Sequence, residues 1–323
     1  MKEFTINKND AGQRLDRFVS KAAPMLPTSL AQKYIRLKRI KVSGKGTPRD
    51  YKLAAGDTVQ MYVNDEFFEK TESKNTYLKI TDPSLDVVYE DSNILLVNKR
   101  AGVLCHSDGG YDYSSLVAQI QAYLHQKGDW DPGSENAFAP ALCNRIDRNT
   151  SGIVISAKNA ETLRTINEKI KHEEIEKNYL AAVHGAPKPA SGLLESQIFK
   201  DSVKNRVYVT QTSKPGSKTA KTQYRTLATA GNLTLLECRL ITGRTHQIRA
   251  QLADFGHPLL GDGKYGSERL NKLYGENRQA LCSYKIDFSF KTDAGILSYL
   301  KGKSFQINNV GFVKKYFSSI DIK

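Results

Sequence analysis

Cysteine is scarce in this chain and never closely spaced. Cys105, Cys143, Cys238 and Cys282 stand singly, with no Cys-x-x-Cys pair. That spacing argues against a zinc site and against a disulfide framework, and it fits a reducing cytoplasm. Long apolar runs are also missing. The best is Ile-Leu-Leu-Val at 94–97, far short of the roughly 20 residues a bilayer span needs. The opening Met-Lys-Glu-Phe-Thr-Ile-Asn-Lys has no apolar core of a signal peptide. No repeat period, low-complexity tract, nucleotide-binding glycine loop or His-Glu-x-x-His string occurs. What is abundant is positive charge: 48 Lys and Arg against 34 Asp and Glu, a net +14. A polyanion is the implied partner, nucleic acid or an acidic membrane surface, and no segment supports the membrane. With 323 residues, two domains are expected, and 39% hydrophobic residues suffice for a real core.

The charge is unevenly shared. Residues 1–64 hold 13 basic and 5 acidic residues, so +8 of the +14 lies there. Between Lys33 and Lys52 eight basic residues accompany one acidic residue, Asp50. Thr28 or Ser29 can cap a helix in which Leu30, Tyr34 and Leu37 form an apolar stripe. Lys33, Arg36 and Lys38 fall off that stripe toward water, with Arg39 at its edge and Lys41 just beyond. Leu15, Phe18 and Val19 mark an earlier short helix, and "IKV" and "TVQMYV" read as strands. A charge run of this kind is either a solvated face or a phosphate-tracking surface, and eight cations with one anion favour the phosphate surface. RNA binding is assigned to Lys33, Arg36, Lys38, Arg39 and Lys41. Residues 11–64 resemble the small RNA-binding domain named for a ribosomal small-subunit protein, the S-four type. The resemblance rests on Arg14-Leu15-Asp16, the helix from Ser29, Ile40-x-Val42 and Gly56-Asp57. Residues 65–84 are polar and aperiodic and read as a linker.

From residue 85 strands and helices mix without βαβ alternation, which indicates an α+β domain over 85–323. "DVVYED" and "NILLVNK" suggest a hairpin turning at Asp91-Ser92, and "SGIVISAK" a buried strand. Asn159 caps a helix with Leu163, Ile166 and Ile170 inward. "THQIRAQLADFG" reads as a helix capped by Thr245, with Ile248, Leu252 and Phe255 apolar and Gly256 stopping it.

Three charged stations stand out. In "CNRIDRNTSGIVIS" an extended chain at 144–147 would put Arg145 and Asp147 on one face and Ile146 in the core. Asp147 then sits at a strand edge before turn residues, where it is either a capping aspartate or a reaction centre. In "EKNYLAAVHG" Tyr179 shares a strand face with Ala181 and Val183, and by itself it reads as an amphipathic core residue. In "ITGRTHQIRAQLADFGHPLLGDGKYG" Arg244, His246 and Arg249 cluster at a helix start, suited to phosphate or to capping, with Lys264 and Tyr265 following.

In this order the three stations resemble the large-ribosomal-RNA pseudouridine synthase family, the A/C/D-type group. The resemblance covers about residues 85–266, and Arg-x-Asp-x-x-Thr-Ser-Gly together with Gly-Arg-Thr-His-Gln-Ile-Arg carries it. The family usually has His at Asn144, Pro at Arg100 and His-Ala at Cys282-Ser283. The resemblance implies a mixed, mainly antiparallel sheet with flanking helices, and isomerisation of uridine to pseudouridine in RNA. Nothing is oxidised and no group is lost, so no cofactor and no metal are called for. It makes Asp147 the essential carboxylate, Arg249 its salt-bridge partner ahead of Arg244, and Tyr179 the ring that stacks on uracil. Arg145 fills the gap left by the everted nucleotide or holds its phosphate, and Ile248 seals the pocket. Thr150, Arg244 and His246 complete the substrate contacts. A stacked uracil cannot reach a sheet-edge carboxylate, so the nucleotide must flip out. The partner implied is large-subunit ribosomal RNA, met by a cytoplasmic monomer.

Three rival readings remain at this level. One is a non-catalytic RNA-binding assembly factor, and another is the same chemistry on transfer RNA. The third, an aspartate phosphatase, needs a second aspartate two residues beyond Asp147, where Asn149 stands.

Overall fold

The structure is a computed structural model describing residues 1–68, 76–107, 114–210 and 212–318. In chain order it runs β1 (Lys2–Thr5), α1 (Leu15–Ala22), α2 (Thr28–Arg36), β2 (Ile40–Val42), β3 (Thr58–Met61), β4 (Val87–Glu90), β5 (Ile94–Lys99), α3 (Leu116–Gln126), β6 (Ala141–Leu142) and β7 (Ser151–Ala157). It continues with α4 (Ala160–Lys171), β8 (Ile175–His184), β9 (Ser191–Asp201), β10 (Arg206–Thr210), β11 (Lys218–Ala230), β12 (Leu233–Leu240), α5 (Gln247–Asp254), α6 (Glu268–Tyr274), β13 (Leu281–Phe288), β14 (Ser304–Gln306) and α7 (Gly311–Tyr316). No helix among the described residues is long and apolar enough to cross a membrane.

The chain forms two compact units. The first takes Met1–Ser84, His106–Leu142 and Ser156–Arg164. Its sheet has the order β1-β3-β2, antiparallel throughout. Leu15, Phe18, Val19, Ile40, Val59 and Met61 are wholly buried in its core. The expected cap and stripe of α2 shift slightly. Pro27 holds the cap position and Thr28 is already helical, so no side chain caps this helix. Ala31 and Ile35 are the buried residues, Leu30 and Tyr34 are half-buried, and Leu37 is 55% exposed. The helix ends at Arg36, so Leu37 no longer follows the helical period. The stretch 65–84, expected as a linker, is mostly exposed where it is described but carries buried anchors at Phe68, Tyr77 and Ile80. Phe68 joins the core, and Tyr77 lies 5.1 Å from the Trp130 ring and 5.8 Å from His125. Short 3-10 turns at Asp65–Phe68 and Thr76–Lys79 bury isolated apolar residues, which leaves no period to read.

The second unit takes Leu85–Cys105, Cys143–Ile155 and Thr165–Lys323. Its sheet runs β10-β9-β11-β12-β8-β13-β7-β5-β4, with β14 on β13. Antiparallel pairs dominate, and β13 and β7 are parallel through Cys282↔Ser151 and Ser283↔Gly152. This is the mixed, mainly antiparallel sheet with flanking helices that the resemblance implied. β8 lies mid-sheet and is buried over nearly its whole length, as a strand covered on both faces must be. Ile153, Ile155, Leu180, Leu235, Ile286 and Phe288 form the core, each worth roughly 1.5–3 kcal/mol on burial.

Candidate active site

The site begins on the loop between β6 and β7. Residues 144–147, expected as strand, form none; β7 starts only at Ser151. Ile146 is still buried while Arg145 is exposed and Asp147 half-exposed. A turn at Arg148-Asn149, closed by Thr150 N–H donating to the Asp147 carbonyl at 3.1 Å, lifts this segment off the sheet. Asn144 braces its base, accepting the Ile155 N–H at 2.8 Å. Gly152 has φ +115°, and a Cβ there would stand 2.3 Å from the Ser283 carbonyl oxygen. Only glycine lets β7 run this close to β13 directly behind the loop.

Lys99 secures the loop from below. It is 1% exposed, and its Nζ donates to the carbonyls of Arg100, Val103 and Arg148 at 3.0, 2.8 and 3.0 Å. Burial pushes its pKa down to about 8. Cys105 lies alongside, donating its thiol to the Ile146 carbonyl at 3.4 Å.

Helix α5 supplies the facing wall. The expected Thr245 cap is not used. His246 is the cap residue, in left-handed backbone with φ +51°, an uncommon conformation for a residue with a Cβ. Gln247 explains how the turn holds. Its Oε1 accepts from Arg244 N–H at 3.0 Å and the Thr242 hydroxyl at 2.8 Å. Its Nε2 donates to the Lys221 carbonyl and the Thr222 hydroxyl. This bracing holds the turn ahead of the helix, and His246 itself makes no side-chain cap bond. The His246 ring then points to Asp147, with Nε2 to Oδ2 at 3.9 Å, and its Nδ1 meets the Tyr265 hydroxyl at 2.9 Å.

Arg249, one turn on, is the hub. Its Nη1 donates to Asp147 Oδ2 at 2.7 Å. Its Nε and Nη2 grip both oxygens of Asp262 at 2.7 and 2.9 Å. Asp262 has no exposed side-chain surface and also accepts the Lys264 and Tyr265 backbone N–H groups. Burial disfavours charge on both partners, yet their contact overcomes it: Arg249's pKa stays above its ordinary value and that of Asp262 below. Next to Asp262, Gly261 has φ +76°, and a Cβ would fall 2.0 Å from the Arg278 carbonyl oxygen.

Tyr179 enters from β8, 5% exposed, its pKa raised by burial. A cavity of about 60 Å³ is lined by Arg145, Asp147, Thr150, Tyr179, Arg244, His246, Ile248 and Arg249. A second hollow of about 270 Å³ shares Arg145, Asp147, Tyr179, Leu240 and Arg244 with it, so the two are compartments of one cleft. All eight cleft residues singled out in the sequence therefore meet here. Their exposures differ. Thr150 is 1% exposed and its hydroxyl accepts from Gln279 at 3.1 Å, whereas Arg145 and Arg244 are exposed. Burial also lowers the pKa of His246, against the opposing pull of Asp147.

The five basic residues assigned to RNA binding lie in the first unit. Lys33 and Arg36 line a groove with Arg49. Arg39 stacks 5.4 Å over Tyr34, Lys41 lies 5.5 Å over Tyr62, and Lys38 sits against Gly46 with φ +58°. Sequence reasoning missed Asp262, Lys99 and Gln247. Asp262 had a weak signal, as a lone acid between two glycines. Lys99 had another, standing at an inward position two residues beyond Val97 in an apolar strand.

A human protein titled RNA pseudouridylate synthase domain containing 4 superimposes with a TM-score of 0.55 at 19% identity, covering 74% of this chain and 94% of that one. Residues 93–254 match the family described as RNA pseudouridylate synthase. Ribosomal large subunit pseudouridine synthase C of Vibrio parahaemolyticus is 31% identical over 273 residues, 84% of this chain and 82% of that protein. Its Escherichia coli K12 namesake is 28% identical over 277 residues, 85% and 83% of the two chains. The chain belongs to the RNA pseudouridylate synthase family, enzymes that isomerise uridine in RNA to pseudouridine.

Proposed function

We propose that this enzyme acts on large-subunit ribosomal RNA, as the names of its bacterial relatives say of those proteins, and that Asp147 carries the chemistry. The single observation behind the assignment is the Asp147–Arg249–Asp262 array beside Tyr179 in one cleft. In the reaction the C1′–N1 bond breaks, the uracil turns, C1′ bonds to C5, the C5 proton leaves and N1 gains one. The ionised carboxylate of Asp147 serves at the sugar, as nucleophile at C1′ or base at C2′, or adds to the uracil ring. Arg249 is its counter-ion, oriented through Asp262. Tyr179 stacks on the uracil and takes part in removing the C5 proton; its neutral phenol suits a dry pocket. Arg145 occupies the space of the flipped nucleotide or holds its phosphate, while Arg244 and His246 contact the RNA and Ile248 closes the pocket. Residues 1–64 act as the S-four-type RNA-binding domain and 85–323 as the catalytic domain. The enzyme works as a monomer in the cytoplasm, on loops or bulges from which a uridine can be everted.

Tritium release from large-subunit ribosomal RNA carrying 5-tritiated uridine tests the activity. Mapping pseudouridines in cells with and without the protein tests the target. Release with loss of specific ribosomal sites is expected. A protein that binds this RNA and releases nothing is a binding factor, and release with all changes in transfer RNA overturns the target.

A further inference from the structure

A third hollow, of about 210 Å³, opens beside the cleft between the β9–β11 strands and the 243–245 loop. Lys200, Val207, Gly216, Lys218, Gly243 and Arg244 are among its walls, and among the described residues no carboxylate lines it. It adjoins the cleft, because Gly243 and Arg244 also line the larger cleft compartment. Two other cations of β11 are paired with carboxylates. Lys221 lies 3.0 Å from Glu195, and Arg225 lies 2.5 Å from Glu237. Lys200 and Lys218 are exposed and have no carboxylate partner among the described residues. With Lys200 and Lys218 unpaired, a ligand phosphate displaces counterions and no protein carboxylate, the condition for tight, salt-dependent contact. Arg244 has its Nε on the Thr219 carbonyl at 3.1 Å, which fixes the guanidinium between groove and cleft.

Resting on the reading that the cleft takes an everted uridine, we propose that this groove is a backbone subsite. It holds the phosphodiester next to the target nucleotide, with Lys200 and Lys218 as its binding residues. Between its cations the groove is lined by Ile198, Val207, glycine backbone and Thr245, with no aromatic ring and no side-chain amide among the described residues. Recognition there is of phosphate, independent of the neighbouring base.

The test is retention of unmodified, in-vitro-transcribed large-subunit ribosomal RNA by wild type, K200Q/K218Q and K221Q across a salt series, with tritium release measured in parallel. K200Q/K218Q is expected to bind roughly tenfold more weakly at low salt. The slope of log affinity against log salt should fall by about 1.5, since each lost phosphate contact removes about 0.7–0.9. K221Q, whose lysine is already paired, should match wild type. Equal slopes for wild type and K200Q/K218Q overturn the subsite, as does a K221Q defect of the same size. A wild type that releases no tritium sinks the catalytic reading instead, and the binding slopes still decide the groove.

Discussion

The amino-terminal helix α2 and the cleft around α5 both depend on arginine and lysine, under opposite constraints. On α2 and the residues after it, Lys33, Arg36, Lys38 and Arg39 are exposed, and two of the neighbouring cations rest on tyrosine rings. In the cleft Arg249 is 7% exposed and shared by two carboxylates. An exposed cation costs little to keep and is interchangeable with its neighbours, whereas a buried one is tolerated only with its partners in place. The first arrangement suits the proposed phosphate contacts; the second fixes geometry.

Four variants sharpen that contrast, in order of expected effect. Asp147→Asn should keep RNA binding within about twofold and lower tritium release by on the order of 10³-fold or more; near-normal release would remove Asp147 from the chemistry. Arg249→Met should destabilise the fold by about 3–5 kcal/mol in urea denaturation, because Asp262 is left buried and unpaired. A change below 1 kcal/mol would make Arg249 as replaceable as a surface cation. The joint change of Lys33, Arg36, Arg39 and Lys41 to glutamine should reduce the salt slope of binding by about 3, with kcat at saturating RNA and stability nearly unchanged. Lost kcat would mean these residues shape the site itself. The smallest effect concerns pH. The folded protein releases the Lys99 proton near pH 8, the unfolded chain near 10.5. Between those values the unfolded state binds more protons, so the Lys99 contribution to stability rises with pH through that window. The stability difference between wild type and Lys99→Met should therefore grow in favour of wild type from pH 8 to 10.5, and a flat difference would contradict the buried cation.

Much of the cleft could be read in advance because its parts sit in short strings. Arg145, Asp147 and Thr150 fall within six residues, and Arg244, His246 and Arg249 within another six. The alternation of Arg145, Ile146 and Asp147 survived even though no strand formed, because the segment packs Ile146 inward from a loop. Among the misread details were the caps. Threonine at 28 and 245 met the capping rule, but Pro27 and His246 hold those positions, and Gln247 instead braces the turn ahead of the second helix by accepting the Arg244 N–H. A rule based on residue type cannot see a side chain reaching back from the next turn.

The sequence by itself determined the net charge, where it concentrates, the order of the charged strings and the resemblance they carry. Those are properties of residue identity and short spacing, which survive any packing. The tertiary structure alone decided that one guanidinium would join carboxylates 102 and 13 residues away. It also decided that a lysine would staple the loop from beneath and that three hollows would abut at Arg244. Such contacts depend on which strands neighbour each other in the sheet. That order follows from the burial of β8, β13 and β7 together, a cooperative choice that no local pattern contains.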